Sequence, residues 1–190
     1  MLISITGPSS SGKTTLINKL KIILPEIYSQ YKFEFIDEQF REYIRKHDIN
    51  VEDIFNESDT AFLFEVTLLD DYSQPDNQAD YIIMDRSPID NLVYMTLHYY
   101  QLSNEDQNRY AILLDEAKKK CKDVMKNIKV YMCLPDNKEI QQDDERPTIY
   151  EVLRQDEIFL FKNLQYEVLP QDLNDRIDKI INDIREGIKK

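Results

Sequence analysis

The chain has 190 residues, a length that fits one domain with a central sheet covered on both faces. Apolar residues make up 42% and charged residues 32%, proportions typical of a folded globular protein. The formal net charge of −12 disfavours non-specific binding to nucleic acid or to an anionic membrane, because both would be repelled. The 2 cysteines lack metal-site spacing, and no apolar run indicates a membrane or export segment, so we expect a cytoplasmic protein.

The first two predicted elements are a strand and a helix joined by a short loop. Leu2, Ile3 and Ile5 form an apolar run that is too short for a helix and suits a buried parallel strand. Apolar residues at helical spacing predict a helix over 14–24, and Pro25 is expected to end it.

The loop matches the pattern G-x-x-x-x-G-K-[ST] of a phosphate-binding loop. Gly7 and Gly12 permit backbone angles that let successive N–H groups surround an anion. Lys13 has the reach to contact β and γ phosphates, and the Thr14 hydroxyl is a ligand for Mg²⁺. The residues predicted to bind ATP are Gly7, Ser9, Ser10, Ser11, Gly12, Lys13, Thr14 and Thr15. Because the following helix directs its N-terminus at the anion, the stretch predicts nucleotide binding.

Strand and helix patterns alternate along the rest of the chain. Strands are predicted at 33–37, 81–84, 128–134 and 166–169, and helices at 39–47, 57–72, 90–101, 104–127, 150–164 and 172–188. This alternation predicts an α/β fold with a five-stranded, mostly parallel sheet and right-handed crossovers. No repeat or linker interrupts it, so we expect a single domain over 1–190.

Charged residues follow two of the predicted strands, at the sheet edge where α/β proteins bind ligands. Asp85 has the position of a Walker B acid that helps Thr14 hold Mg²⁺, and Arg86 beside it would neutralise phosphate. Either Asp37 or Glu38 would accept the proton of an attacking hydroxyl, and the sequence leaves that choice open. An ordinary acidic loop residue at Asp85 and a structural ion pair at Arg86 are the alternatives.

A polar segment around 136–149 is predicted to form a lid over this edge. Arg146 lies in it among acidic residues and would swing onto the transferring phosphate while the lid excludes water. A solvated run of charges is the alternative interpretation.

The motifs occur in a characteristic order: the phosphate loop, Glu38 followed three residues later by Arg41, Asp85-Arg86-Ser87 with Asp90, and Asp143 with Arg146. This order resembles the ribosylnicotinamide kinase-like branch of the P-loop kinases (AAA domain), which is related to the deoxynucleoside and thymidylate kinases. The resemblance extends over nearly the whole chain.

The resemblance implies a three-layer P-loop NTPase fold, like that of nucleoside and nucleotide kinases, and it implies ATP and Mg²⁺ as cofactors. The predicted site residues are, for catalysis, Lys13, Asp37, Glu38, Arg86 and Arg146; for the substrate, Glu38, Arg41, Phe62, Asp85, Arg86 and Asp90; and for the metal, Thr14 and Asp85. Phe62 is the least specific of these, since an aromatic residue on an apolar helix more often belongs to the core.

The predicted function is therefore transfer of the γ-phosphoryl group of ATP to a nucleoside or nucleotide, with an acceptor similar to nicotinamide riboside, a deoxynucleoside or dTMP. A nucleoside is preferred because Arg146 is the only arginine of the predicted lid. The alternatives are a polynucleotide or modified-base kinase, against which the net charge argues, and a nucleotide-dependent regulatory ATPase. A homodimer is left open.

Overall fold

The computed structural model describes residues 1–48, 50, 54, 58–70, 78–135, 156, 158–164 and 166–188. Within these residues the strands are β1 (Leu2–Thr6), β2 (Phe33–Ile36), β3 (Tyr81–Asp85), β4 (Ile128–Met132) and β5 (Glu167–Val168). The helices are α1 (Lys13–Ile27), α2 (Gln39–His47), α3 (Ser58–Asp70), α4 (Pro88–Gln101), α5 (Asn104–Val124), a 3-10 turn (Met125–Asn127) and α6 (Leu173–Ile188).

The described strands form one sheet of five strands in the order β2-β3-β1-β4-β5. All four pairings are parallel; Ile5 of β1 lies beside Asp85 of β3 and beside Tyr131 of β4. The predicted α/β fold is therefore confirmed, with a sheet that is parallel throughout. Among the described helices, none combines the length and apolar character that crossing a membrane requires.

Helices cover both faces of the sheet. Successive side chains of a strand point to opposite faces, so each strand contributes to the core on both sides. Tyr131 and Cys133 join a core cluster with residues of α1 and α6, such as Leu20 and Ile180. Val130 alternates with them and packs in a second cluster with residues of α4 and α5. A third cluster joins α3, α4 and α5. These clusters give the three layers that the motif resemblance implied.

The predicted end of the first helix is wrong. Pro25 lies inside α1, which continues to Ile27 and closes with a hydrogen bond of 2.9 Å from the Tyr28 N–H to the Leu24 carbonyl. A proline in the last turn removes one backbone donor, but the helix goes on for only two more residues. The predicted lid at 136–149 lies outside the described residues, as do residues 150–155 and 157 of the helix predicted at 150–164.

Both cysteines are free and buried. Burial raises the pKa of the Cys121 thiol to about 12, and burial also raises the pKa of Cys133. The Cys133 N–H donates to the Thr6 carbonyl at 2.8 Å, so this residue extends the pairing of β1 with β4 to the edge of the phosphate loop.

The turn out of β1 requires a glycine. Gly7 has a φ of 133°, and a Cβ on it would lie 2.0 Å from the Cys133 carbonyl oxygen. Cys133 directly follows β4 and is held there by its backbone bond to Thr6, so its carbonyl cannot move away cheaply. Both the φ angle and the contact therefore exclude a side chain at Gly7.

We expect Gly7→Ala to lower the free energy of unfolding by more than about 2 kcal/mol, because it adds a backbone clash to a strained φ. Gly187→Ala is the matched control: its Cβ would lie 3.8 Å from Met1 Sδ, so we expect a change within about 1 kcal/mol. Urea unfolding followed by circular dichroism measures both. Equal stability of the two variants would contradict the close approach.

Candidate active site

The phosphate loop connects β1 to α1 with the geometry that the motif predicts. Ser10 and Gly12 have positive φ angles of 58° and 86°, which turn the backbone around the loop. Gly12 occupies the N-cap position of α1 and supplies no side-chain cap, so the first N–H groups of the helix keep their capacity to bind an anion.

Lys13 folds back over the loop. Its Nζ donates to the carbonyl oxygens of Gly7 at 2.7 Å and Pro8 at 2.9 Å, and the residue is buried. Burial lowers the pKa of Lys13, and the nearby Arg86 lowers it further, whereas Asp90, Asp85 and Glu38 act in the opposite direction. An anion placed in the loop would offset this cost of burying the ammonium group.

Asp85 ends β3 directly beside β1. Two buried side-chain oxygens have no hydrogen-bond partner in the described part of the chain, Asp85 Oδ1 and Ser11 Oγ, and both lie in this site. Burial raises the pKa of Asp85, against the effects of Lys13 and Arg86. A cation bound at Oδ1 would favour the ionised form.

The donor set fits Mg²⁺. Thr14 is exposed in the first turn of α1, where its hydroxyl is available, and Asp85 contributes the unpartnered Oδ1. The described residues contain no group of three or more acidic, histidine or cysteine ligands. Mg²⁺ in nucleotide sites needs only one or two protein ligands, since phosphate oxygens and water complete its octahedron.

Arg86 is held in an unusual backbone conformation, with a φ of 75°. Its N–H donates to the Ile5 carbonyl and its carbonyl accepts from Ser4 Oγ, both at 3.0 Å, so two bonds to β1 fix the turn. Its side chain is ion-paired with Glu38 through Nε and donates through Nη1 to Asp90 at 3.2 Å and to the Tyr94 hydroxyl at 3.0 Å. The guanidinium therefore joins the ends of β2 and β3 to α4.

Asp90 is the buried centre of this arrangement, with 1% of its surface exposed. Its Oδ2 accepts from the Thr6 hydroxyl, from the Ser87 N–H at 2.8 Å and from the Ser87 hydroxyl at 3.2 Å. Ser87 and Asp90 also form a capping box at the start of α4, where Pro88 occupies the first turn. One carboxylate thus binds the end of β1, caps α4 and pairs with Arg86.

The two candidate bases differ in their surroundings. Glu38 is ion-paired with Arg86, and only 15% of its side chain is exposed. Asp37 points elsewhere: its carboxylate pairs with Lys21 at 2.7 Å and is 75% exposed. Adjacent residues at the end of a strand face opposite sides, so only Glu38 joins the Arg86 cluster.

The remaining predicted residues are placed as follows. Thr15 is exposed in the first turn of α1, and Ser9 is buried in the loop. Phe62 has no exposed surface and packs against Tyr110, with ring centroids 5.3 Å apart, in the cluster of α3, α4 and α5. The side chain of Arg41 in α2, the lid and Arg146 lie outside the described residues.

Glu65 of α3 is a buried acid that the sequence analysis did not single out. It is 2% exposed, and its Oε2 accepts from Asn91 Nδ2 at 3.0 Å. Burial raises its pKa to about 8, while the Asn91 hydrogen bond and Arg86 lower it. The charges of Arg86, Asp90 and Glu38 also affect this pKa, so Glu65 lies close to the group that these three residues form. The available signal was one carboxylate in the middle of an apolar helix.

Arg176 of α6 is the second residue that the sequence analysis missed. It is 5% exposed and donates to three backbone carbonyls: Ser11 at 2.6 Å, Pro170 at 2.6 Å and Leu134 at 3.3 Å. Ser11 and Arg176 are 165 residues apart in the chain, so local pattern carries no sign of this contact.

A family model described as an AAA domain matches residues 2–168, which is most of the chain. The chain belongs to this AAA domain family. The resemblance inferred from the order of the motifs is thereby confirmed. No curated protein matches the chain.

Solved structures with the same fold as this AAA domain chain include three kinds of protein. Deoxyadenosine kinase from M. mycoides, with dCMP and dCDP bound, is 19% identical over 98% of this chain and 99% of its own, with a TM-score of 0.59. Thymidylate kinase from Ehrlichia chaffeensis is 19% identical over 97% and 98%, with a TM-score of 0.58. The NadR protein in complex with NR is 21% identical, with a TM-score of 0.62, but this chain spans only 50% of it.

The pKa of Glu65 predicts a pH-dependent stability. In the folded chain Glu65 has a pKa of about 8, whereas in the unfolded chain it ionises near pH 4.5. Unfolding at a pH between these two values therefore releases a proton. This group therefore stabilises the wild type fully below pH 4.5, and that contribution falls by up to about 1.4 kcal/mol per pH unit as the pH rises towards 8.

Glu65→Gln keeps an oxygen for Asn91 and removes the titration. We expect its free energy of unfolding, relative to wild type, to rise steadily from pH 5 to pH 8, as measured by urea unfolding across that range. Glu116→Gln, at an exposed position of α5, is the control and should give a difference that stays flat. A flat difference for Glu65→Gln as well would contradict the buried neutral acid.

Proposed function

We propose that this AAA domain chain is an ATP- and Mg²⁺-dependent kinase that transfers the γ-phosphoryl group to a hydroxyl of a nucleoside or nucleotide. The observation that carries the proposal is the convergence of three strand ends. The neighbouring strands β2, β3 and β1 end in Glu38, in Asp85 with Arg86, and in the phosphate loop. A phosphate-binding loop, a cation-binding carboxylate and a shielded carboxylate base thus follow one another along one edge.

The loop supplies binding and charge neutralisation. Backbone N–H groups of the loop and of the start of α1 would hold the β and γ phosphates, and Lys13 would exchange the Gly7 and Pro8 carbonyls for phosphate oxygens. Thr14 and Asp85 would hold Mg²⁺, which when bound neutralises charge between the β and γ phosphates.

Glu38 supplies proton transfer on the acceptor side. Its carboxylate is fixed by the ion pair with Arg86, which Asp90 and Tyr94 fix in turn. A hydroxyl that donates to Glu38 would give its proton to the carboxylate as its oxygen attacks the γ-phosphorus, while the bond from that phosphorus to ADP breaks and ADP leaves. Phosphoryl transfer depends mainly on such positioning, so one oriented carboxylate is sufficient.

The charge balance favours a neutral hydroxyl acceptor over one that already carries a phosphate. Among the described side chains, Arg86 is the cation of the acceptor side, and two carboxylates, Glu38 and Asp90, already neutralise it. A second phosphate would have to compete with them. The proposed acceptor is therefore a nucleoside, and similarity to a deoxyadenosine kinase and to the NadR protein in complex with NR supports this choice.

The domain organisation proposed with this function is a single P-loop kinase domain over 1–190. Its lid would be the segment around 136–149, with Arg146 reaching the transferring phosphate and Arg41 reaching the acceptor. A closed lid would exclude water and protect ATP from hydrolysis.

The first test is ADP release from Mg·ATP with a panel of nucleosides and nucleoside monophosphates. We expect acceleration by nicotinamide riboside or a deoxynucleoside, and a loss of at least about 100-fold in Lys13→Ala, which lacks the phosphate contact. Lys19→Ala is the matched control, because Lys19 is an exposed lysine of the same helix.

Two results would contradict a kinase that acts on nucleosides or nucleotides. ADP release that depends on Lys13 but ignores every acceptor would favour a regulatory ATPase, and acceleration by 5′-hydroxyl DNA or RNA alone would favour a polynucleotide kinase.

A second test separates the two adjacent carboxylates. We expect Glu38→Gln to lower kcat by about 10²- to 10⁴-fold, because the amide cannot accept the proton. Asp37→Asn removes the same charge from a side chain that pairs with Lys21 at the surface, and we expect less than about a threefold change. Steady-state kinetics with the best acceptor of the panel measures both. A larger loss in Asp37→Asn would reverse the assignment.

A further inference from the structure

Arg176 occupies a position that neither the phosphate-loop motif nor the acceptor cluster explains. It extends from the first turn of α6 to carbonyls that follow three neighbouring strands. Ser11 lies in the loop after β1, Leu134 follows β4 and Pro170 follows β5. The guanidinium therefore joins the strand ends on one side of the phosphate loop, while Arg86 joins those on the other side.

The charge of Arg176 is buried against neutral groups. Its three hydrogen bonds go to carbonyl oxygens, and within the described residues it forms no ion pair with a carboxylate. Burying a cation without an opposite charge is unfavourable, even when its donors are satisfied. An anion brought near this group would supply the missing charge.

The bond to Ser11 acts on the phosphate side of the loop through a single peptide group. The Ser11 carbonyl and the Gly12 N–H belong to the same planar trans peptide, so they point in opposite directions. Nη1 holds that carbonyl at 2.6 Å, and a Cβ on Gly12 would lie 3.1 Å from the same nitrogen. Arg176 thus fixes the orientation in which the Gly12 N–H faces away from α6. A charged donor on the carbonyl also polarises the N–H on the opposite side of the peptide.

We propose that Arg176 is a positioning residue for nucleotide binding: it orients the Ser11–Gly12 peptide so that its N–H binds phosphate, and its buried charge is compensated by the bound polyphosphate. The inference rests on the proposed function of the loop as a nucleotide site. A residue of α6 thus contributes to phosphate binding, together with the loop motif near the start of the sequence.

The test measures the affinity of the full chain for Mg·ADP and for inorganic tripolyphosphate by titration calorimetry. We expect Arg176→Gln to weaken both ligands by about tenfold or more, since a charge-assisted contact and its field are lost. An equal loss for the two ligands is expected because the effect acts on phosphate and not on the base. Arg185→Gln removes the same charge from an exposed position of α6 and should leave both affinities unchanged.

Unfolding in urea without ligand separates this role from a merely structural one. A purely structural Arg176 would lower stability in the glutamine variant yet leave the affinity of the folded chain at the wild-type value, and that result would overturn the inference. If the glutamine variant does not fold, Arg176→Lys decides. Lysine keeps the charge but loses the planar fork, so we expect about threefold weaker binding, and wild-type affinity would overturn the inference.

The same experiment distinguishes this inference from the proposed function. A wild-type chain that binds neither ligand contradicts the nucleotide site itself, and the inference fails with it. A wild-type chain that binds both ligands, with affinities unchanged in Arg176→Gln, leaves the kinase intact and removes only the role of Arg176.

Discussion

The buried carboxylate of Asp90 is the constraint on which the acceptor side of the site depends. It binds the last residue of β1 through the Thr6 hydroxyl, caps α4 through Ser87 and pairs with Arg86. A buried carboxylate is tolerated only when its oxygens are satisfied, and here four donors satisfy them. Arg86, fixed in this way, keeps the positive φ that points its guanidinium at Glu38. The position of the proposed base, Glu38 at the end of β2, is therefore set by a residue of α4.

Three cations of the described residues lie around the phosphate loop, and their partners divide the site into two halves. Lys13 and Arg176 donate only to carbonyls in the described structure, so their charge is available to an anion. Arg86 is neutralised by two carboxylates. Within the described part of a chain with a net charge of −12, two cations without a carboxylate partner thus lie on the loop side. Polyphosphate on one side and an uncharged hydroxyl on the other match this division.

Features that depend on residues close together in the sequence were predictable from it. The phosphate loop, the alternation of strands and helices and the charged strand ends all follow from local spacing, and the parallel sheet follows from them. Asp37 and Glu38 could not be separated, because their roles depend on which faces Lys21 and which faces Arg86. Pro25 misled because a helix can continue for part of a turn beyond a proline. The role of Arg176 could not be predicted, because its contact with Ser11 joins distant parts of the chain.

The two buried thiols give the chain internal reporters of local opening. Reagents that modify cysteine attack the thiolate, which a buried thiol with a raised pKa scarcely forms at neutral pH. Modification of Cys133 therefore requires the end of β4 to separate from the phosphate loop, whose Gly7 lies against its carbonyl. Modification of Cys121 requires α5 to lift from the cluster that it shares with Val130 and Phe161. The rates of labelling at Cys133 and Cys121 therefore report separately how often the packing on each face of the sheet opens.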